Sequence, residues 1–283
     1  MQTYQFIDCG NQRRLERFGT LLVDRPAPAV VNSPALPENE WHRADLYFDH
    51  DQGWIGTAPE NWHVVLNRIV MRLRPASKGQ VGIFPEHHQV SILLAEKIHR
   101  QSISTESLSV LNLFAHTGLA TIALSSLAEV NEVTHVDAAK TAVKTAKENA
   151  VSSGLQDRPI RWIPDDAVTY MSREERRGRK YSLVLADPPS HGRDKKSGKE
   201  WRFDRDIEKL IELANRLVDP EGGIFCLTFH TTGKTVDDMK HKVASFFPRD
   251  AKLETRPLSL TSNCGGNPLP CGNILTAEIG QKA

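Results

Sequence analysis

Val110-Leu111-Asn112-Leu113-Phe114-Ala115-His116-Thr117-Gly118 opens a stretch that continues through an Ala/Ser/Leu-rich segment to Glu132-Val133-Thr134-His135-Val136-Asp137. Its first five residues are mostly apolar and stop at a turn containing Gly118, the pattern of a buried parallel strand. Leu119, Ile122, Ala123 and Leu127 follow at helical spacing, and a second short strand ends on the acid Asp137. Strand, glycine turn, helix, strand and terminal carboxylate make half of a nucleotide-type βαβ unit. The helix N-terminus offers unpaired N–H groups, and the acid can accept both hydroxyls of a ribose. An ordinary buried βαβ unit whose acid caps a helix has the same outline.

The dinucleotide fingerprint Gly-x-Gly-x-x-Gly lets a pyrophosphate lie against the backbone, and only Gly118 of it is present here. A ligand with a ribose but no phosphate needs less of that cradle. S-adenosylmethionine is such a ligand, so the departure favours it over a nicotinamide dinucleotide.

Working outward, the 283 residues suffice for one large domain and a small one. The 39% hydrophobic and 25% charged fractions are those of a globular protein, and no apolar run approaches the ~20 residues of a membrane-spanning helix. Met1-Gln2-Thr3-Tyr4-Gln5 has neither a basic nor an apolar signal region, so a cytoplasmic protein is expected. Cys9, Cys226, Cys264 and Cys271 form no C-x-x-C pair, so free thiols are expected and no metal site. A net charge of +1 gives no bulk attraction to nucleic acid, which leaves any such contact to a local patch.

Upstream, β-type runs at residues 2–7, 21–25, 44–48 and 64–73 alternate with Pro, Gly and Asn, which predicts a small antiparallel β domain over residues 1–76. A strand over residues 67–74 puts Arg68, Arg72 and Arg74 on one face with Val70. That face is either solvated or phosphate-contacting. Residues 77–101 read as a linking loop and a helix that begins near Pro85. Residues 102–283 alternate strands and helices: strands at 160–164, 181–186 and 224–229, helices at 139–150, 207–217 and 238–247. Two final strands, 252–260 and 274–279, leave little room for a helix between them. The alternation predicts a doubly wound, mostly parallel α/β sheet with an antiparallel edge pair.

Asp187-Pro188-Pro189-Ser190 is the second informative site, directly after a buried strand. Ligands in such sheets bind beyond the carboxyl ends of the strands. Two prolines fix φ and remove two N–H donors, so the turn is stiff and shows acceptors. An acceptor side chain followed by a rigid carbonyl suits an amino group on a planar base, whose nitrogen it would aim at a methyl donor. A proline-stopped surface turn is the bland reading.

Asn112-Leu113-Phe114-Ala115-His116-Thr117-Gly118, Val136-Asp137, Asp165-Asp166-Ala167 and Asp187-Pro188-Pro189-Ser190-His191-Gly192-Arg193 resemble the class I S-adenosylmethionine-dependent ribosomal RNA methyltransferases of bacteria, the large-subunit methyltransferase I type above all. Gly82-Ile83-Phe84-Pro85-Glu86 and Glu200-Trp201-Arg202-Phe203-Asp204-Arg205-Asp206 extend the likeness, which covers about residues 78–283. It implies a Rossmann-like methyltransferase sheet, S-adenosylmethionine as cofactor and an RNA substrate. Phe114, Ala115, His116, Thr117 and Gly118 would wrap the methionine part of the cofactor, and Asp137, followed by Ala138, would bind the ribose. Asp166 and the Ala167 backbone would recognise adenine, Phe84 and Pro85 would help close the pocket, and Asp187 with Pro188 would face the methyl group and the target base.

Relatives that make 5-methylcytosine carry a cysteine after the fifth strand as nucleophile. Here Leu227-Thr228-Phe229-His230-Thr231-Thr232-Gly233 has none, and Cys226 falls earlier, in mid-strand, where a core role is expected. No counterpart of the extra N-terminal RNA-binding domain of some relatives is expected in residues 1–76. Arg193, Lys195, Lys196, Lys199, Arg202 and Arg205 follow the proline turn against three acids, with Gly192 and Gly198 as hinges. This is either a solvated loop or, with His191, an RNA contact. A nicotinamide-dependent oxidoreductase and a catalytically silent RNA-binding protein remain as alternatives.

Overall fold

In this computed structural model, which describes residues 3–101, 108–193, 200–230, 233 and 235–280, the chain opens with strands β1 (Tyr4–Gly10), β2 (Arg13–Phe18), β3 (Leu21–Pro26), β4 (Leu46–Asp49) and β5 (Gly53–Gly56). They pair in that order, antiparallel except for β3 and β4, which run parallel. A parallel neighbour needs a long crossover. Residues 27–45, with the one-turn helix α1 (Glu38–Trp41), supply it. The single strand expected over residues 64–73 is instead a hairpin, β6 (His63–Leu66) and β7 (Ile69–Arg72). Asn67 and Arg68 both take positive φ, 44° and 72°, as a two-residue primed turn requires. Arg68 therefore sits at the turn and shares no strand face with Arg72, and Arg74 lies past the end of β7.

The hairpin docks on the rest of the chain. The N–H of Val70 donates to Ser153 Oγ at 3.0 Å and that of Arg72 to Asn149 Oδ1 at 2.9 Å. Phe18, Val23, Trp62 and Met71 share one apolar cluster with Leu119, Ile122 and Ala150. At the other side, buried Asp8 accepts from the N–H groups of Cys9 and Asn267, both at 2.8 Å, and of Leu36 at 2.9 Å. Gly266 passes so close that a Cβ there would lie 2.0 Å from the Ile7 carbonyl oxygen.

Helix α2 (His87–Gln101) leads into the central sheet. There β8 (Leu108–Leu113), α3 (Leu119–Ser125), β9 (Val130–Val136), α4 (Lys140–Ser152), β10 (Ile160–Ile163), α5 (Ala167–Arg176) and β11 (Leu183–Ala186) follow in turn. After a short pair, β12 (His191–Arg193) and β13 (Glu200–Arg202), come α6 (Phe203–Leu217), β14 (Ile224–Phe229), α7 (Val236–Ala244), β15 (Lys252–Leu260) and β16 (Leu269–Glu278). The seven-stranded order is β10-β9-β8-β11-β14-β16-β15, parallel except for the edge pair. One face is covered by α2 and α3 through Val90, Leu93, Leu94 and Leu124, the other by α5, α6 and α7 through Tyr170, Ile207, Leu210 and Met239. The strand order reverses between β8 and β11, where Leu113 and Ala186 stand side by side. Such a switch point is where an open α/β sheet leaves a crevice.

Lys97 of α2 ties this layer to the sheet edge. Its side chain is 2% exposed, and the ammonium donates to Glu254 at 2.8 Å and to Glu278. Removing the buried ammonium leaves two partly exposed carboxylates, 29% and 23% accessible, facing one another without their cation. We expect Lys97→Met to lower the unfolding free energy by about 1–2 kcal/mol, measured by urea titration. An unchanged midpoint would show that water already screens the triad.

Candidate active site

Asp137 stands one residue beyond β9, half-buried, and organises the turn that leaves β8. Its Oδ2 accepts the N–H of His116 and its Oδ1 the N–H of Ala139, both at 2.8 Å. Phe114 and His116 hold φ of 54° and 48°, conformations that cost a side-chain-bearing residue energy and collect at functional sites. Gly118 completes the turn at φ 93°, and a Cβ on it would come within 2.8 Å of the Ala146 Cβ on α4. Here only glycine serves, for both backbone and packing. Thr117 Oγ1 donates to the Gly82 carbonyl at 2.6 Å, which draws the segment before α2 over the turn. The Phe84 ring lies 5.0 Å from His116 and 6.0 Å from His87, and Pro85 is buried behind it. Each Asp137 oxygen is left with a second lone pair. A half-exposed acid of this kind, at a strand end beside a helix N-terminus, fits a nucleoside ribose and asks for no phosphate.

Asp166 is the N-cap of α5, where Oδ1 accepts the Thr169 N–H at 2.9 Å and its hydroxyl at 2.6 Å. Ala167 opens the helix and is buried. One oxygen of Asp166 thus belongs to the helix, and its N–H donates to Asp165 Oδ1 at 2.9 Å, so the expected contact with adenine falls to the other oxygen. Ala138 is exposed beside Asp137.

Asp187 follows β11 directly, next to Phe114 across the switch point, and its N–H reaches the Leu113 carbonyl at 3.4 Å. Both carboxylate oxygens are engaged: Oδ1 accepts from the Thr228 hydroxyl, and Oδ2 lies 2.9 Å from His87 Nε2. Burial alone would push this carboxyl up, but the charge and hydrogen bond of His87, with Thr228 and the charge of His230, bring it down to about 2. For His87, burial works against the imidazolium, and Asp187, with Glu86 adding, raises it to about 9. At neutral pH the pair is therefore imidazolium and carboxylate. His116, by contrast, is lowered by burial and by the His87 charge against the pull of Asp137, and stays neutral.

Neither His87 nor Thr228 stands out in the sequence. His87 lies 100 positions from its partner, and a histidine in the first turn of a helix has many ordinary readings. The signals present were the segment from Gly82 to Glu86, which anticipates a helix over the cleft, and the strand position of Thr228 next to Asp187.

The two prolines do not both show acceptors to the cleft. The Pro189 carbonyl accepts the Trp201 indole N–H at 2.7 Å, and the Ser190 carbonyl accepts the Phe203 N–H at 3.1 Å. Trp201, 7% exposed, also packs its ring 5.0 Å from Phe114 and so joins the two turns. His191 and Arg202 are paired in register across β12 and β13, as are Gly192 and Trp201, so Gly192 lies within a two-stranded ribbon rather than at a hinge. Packing of Trp201 against the turn explains the difference. Arg193 ends β12, and Lys195, Lys196, Lys199 and Gly198 lie outside the described residues. Cys226 is fully buried in β14, its thiol pushed up to about 12 by burial, with Asp187 adding and Lys97 opposing. A thiol so placed is no nucleophile at neutral pH. Among the described residues no cluster of three His, Cys, Asp or Glu side chains could hold a metal, and no helix is long and apolar enough to cross a membrane.

Comparison with known proteins adds the following. The family model described as Methyltransferase small domain matches residues 79–244. Ribosomal RNA large subunit methyltransferase K/L of Pseudoalteromonas atlantica is 31% identical over 235 residues, 74% of this chain and 31% of that protein. Ribosomal RNA large subunit methyltransferase I of Aeromonas salmonicida is 28% identical over 185 residues, 64% of this chain and 45% of that one. The chain thus spans less than half the length of either relative. The crystal structure of a SAM-dependent methyltransferase from Agrobacterium tumefaciens, 29% identical, superposes with a TM-score of 0.85 over 99% of this chain and 90% of that one.

Proposed function

Starting from a chain that belongs to the methyltransferase small domain family and uses S-adenosylmethionine as its methyl donor, we propose that this protein methylates a base of RNA, ribosomal RNA foremost, in the cytoplasm. The reading rests most on Asp187: a clamped, ionised acceptor at the switch point, one residue past β11 and beside the Phe114 turn. Asp187 and the Pro188 carbonyl hold an amino group of the base, Pro189 and Ser190 fix the turn, and the amino lone pair is thereby directed at the methyl group. The cofactor contributes the sulfonium methyl. Phe114, Ala115, His116, Thr117 and Gly118 enclose its amino-acid part, Asp137 with Ala138 its ribose, and Asp166 with Ala167 its adenine, under a cover made by Phe84 and Pro85. His191, Arg193, Lys195, Lys196, Lys199 and Arg202 meet the RNA backbone. Residues 1–76 form the small β domain, 77–101 the link and 102–283 the methyltransferase domain. Names of relatives carrying ribosomal RNA as substrate support this class of target. The oxidoreductase and the silent RNA-binding protein are not favoured beside a methyltransferase family match.

Nucleosides of ribosomal RNA from cells with and without the gene, compared by mass spectrometry, test the proposal. One N-methylated nucleoside should be missing without the gene and restored when that RNA is treated with protein and labelled methyl donor. Loss of 5-methylcytosine instead would overturn the nitrogen assignment, and unchanged ribosomal RNA would remove ribosomal RNA as the substrate. Cys226→Ser should keep activity within about twofold, since the thiol lies in the core and off the reaction path. A folded but inactive serine variant would also overturn the nitrogen assignment.

A further inference from the structure

We propose that His87 is a positioning residue for methyl transfer, one that fixes the plane of the Asp187 carboxylate and offsets its charge beside the sulfonium. This rests on the methyl-transfer reading of the Asp187 turn. His87 sits at the first position of α2, on the segment that covers the cleft. Its Nε2 lies 2.9 Å from Asp187 Oδ2, and Thr228 holds Oδ1, so the carboxylate is gripped at both oxygens by residues from two elements. A carboxylate has about four acceptor positions, and with two taken the remaining pair points in directions that cannot rotate. That is the fixed geometry a catalysis of alignment needs.

The second half of the inference concerns charge. Methyl transfer moves a positive charge from sulfur toward the acceptor nitrogen without changing its total. An uncompensated carboxylate nearby would bind the sulfonium substrate more tightly than the neutral thioether product, energy spent on the ground state that does nothing for the rate. An imidazolium paired with Asp187 removes that bias. The groups that face this pair are Glu86 before α2, His116 and Asp137 from the Phe114 turn, and His230 after β14. His116, lowered by burial, stays neutral, whereas His87, raised to about 9 against burial by Asp187, changes charge between pH 7.5 and 9.5.

Isothermal titration of the wild type, His87→Gln and His87→Ala with S-adenosylmethionine and S-adenosylhomocysteine, at pH 7.5 and 9.5, reads the charge directly. In the wild type the preference for the sulfonium ligand should rise about three- to tenfold with pH, as expected for removing one charge a few ångströms away in a partly screened site. In His87→Gln the preference should already be raised at pH 7.5 and change little by pH 9.5. Single-turnover methyl incorporation into ribosomal RNA from cells lacking the gene reads the positioning. His87→Ala should be slowed about tenfold or more, and His87→Gln, whose amide N–H can still reach Asp187, should recover most of the rate. Circular dichroism and cofactor affinity establish that each variant is folded. An alanine variant as fast as the wild type, a glutamine variant no better than alanine, or a ligand preference that ignores both pH and the substitution would overturn the inference. Absence of binding by the wild type to either ligand would instead strike the cofactor reading beneath it.

Discussion

Asp187→Ala is expected to lower the rate of methyl transfer by about 10²-fold or more while S-adenosylhomocysteine binds within about threefold of the wild type. The separation follows from where the carboxylate stands. Asp187 lies at the end of β11, gripped by His87 and Thr228, and not in the turn that Asp137 organises. Its loss removes the acceptor that aligns the base, an interaction realised only when the nitrogen approaches the methyl group. His87 loses its counter-charge at the same time, so its imidazole falls from about 9 toward the ordinary range and becomes neutral near pH 7. No buried unpaired cation is then left to unfold the variant. Single-turnover kinetics and titration calorimetry measure the two effects separately. Equal losses in rate and in affinity would show that Asp187 belongs to the cofactor site and not to alignment of the base.

Asp137→Ala carries the second large effect, an expected loss of about 10²-fold or more in affinity for S-adenosylhomocysteine. A charge-assisted hydrogen bond contributes about 1.5–3 kcal/mol, and a carboxylate facing a ribose makes two. The same oxygens already accept from His116 and Ala139. The alanine variant therefore also releases a turn in which two residues hold positive φ against their preference. Asp137→Asn, with one acceptor oxygen left, should recover part of the affinity. Calorimetry with thermal denaturation as control decides, and binding within threefold of the wild type would end the ribose assignment.

The central sheet could be read from the sequence because its strands are short apolar runs that stop on glycine, acid or proline, and its helices repeat apolar residues at the helical period. Both cleft-forming acids, Asp137 and Asp187, were visible for that reason: each ends a run. The N-terminal sheet was harder to read. β2, Arg13-Arg14-Leu15-Glu16-Arg17-Phe18, looks like a polar loop, yet Glu16 is fully buried and pairs with Arg25 at 2.5 Å while Tyr4 donates to it at 2.8 Å. Charge satisfied inside a core leaves no alternation to detect. The two primed turns, Asn11-Gln12 and Asn67-Arg68, lack the glycine that usually announces them, and only the asparagines hint at positive φ. The role of His87, and that of Trp201 within its motif, could not be read from the sequence for another reason. Their roles are set by partners brought close in space, Asp187 for one and Phe114 and Pro189 for the other, and local sequence patterns carry no record of such pairings.

The buried carboxylate of Asp8 has a consequence for how this protein is made. A chain is synthesised from its N-terminus, and a domain that can stand alone folds as it emerges. Here the first strand draws one of its hydrogen-bond donors from Asn267, 259 positions later, and its sheet shares an apolar cluster with Leu119, Ile122 and Ala150. Residues 4–10 thus leave the ribosome well before the residues that satisfy them, and their sheet must wait, part-built and with apolar faces open, until Asn267 has been made. Closure of β1 is thereby tied to synthesis of the segment around Asn267, and a ribosome stalled before that point would hold a chain that chaperones and proteases can still engage.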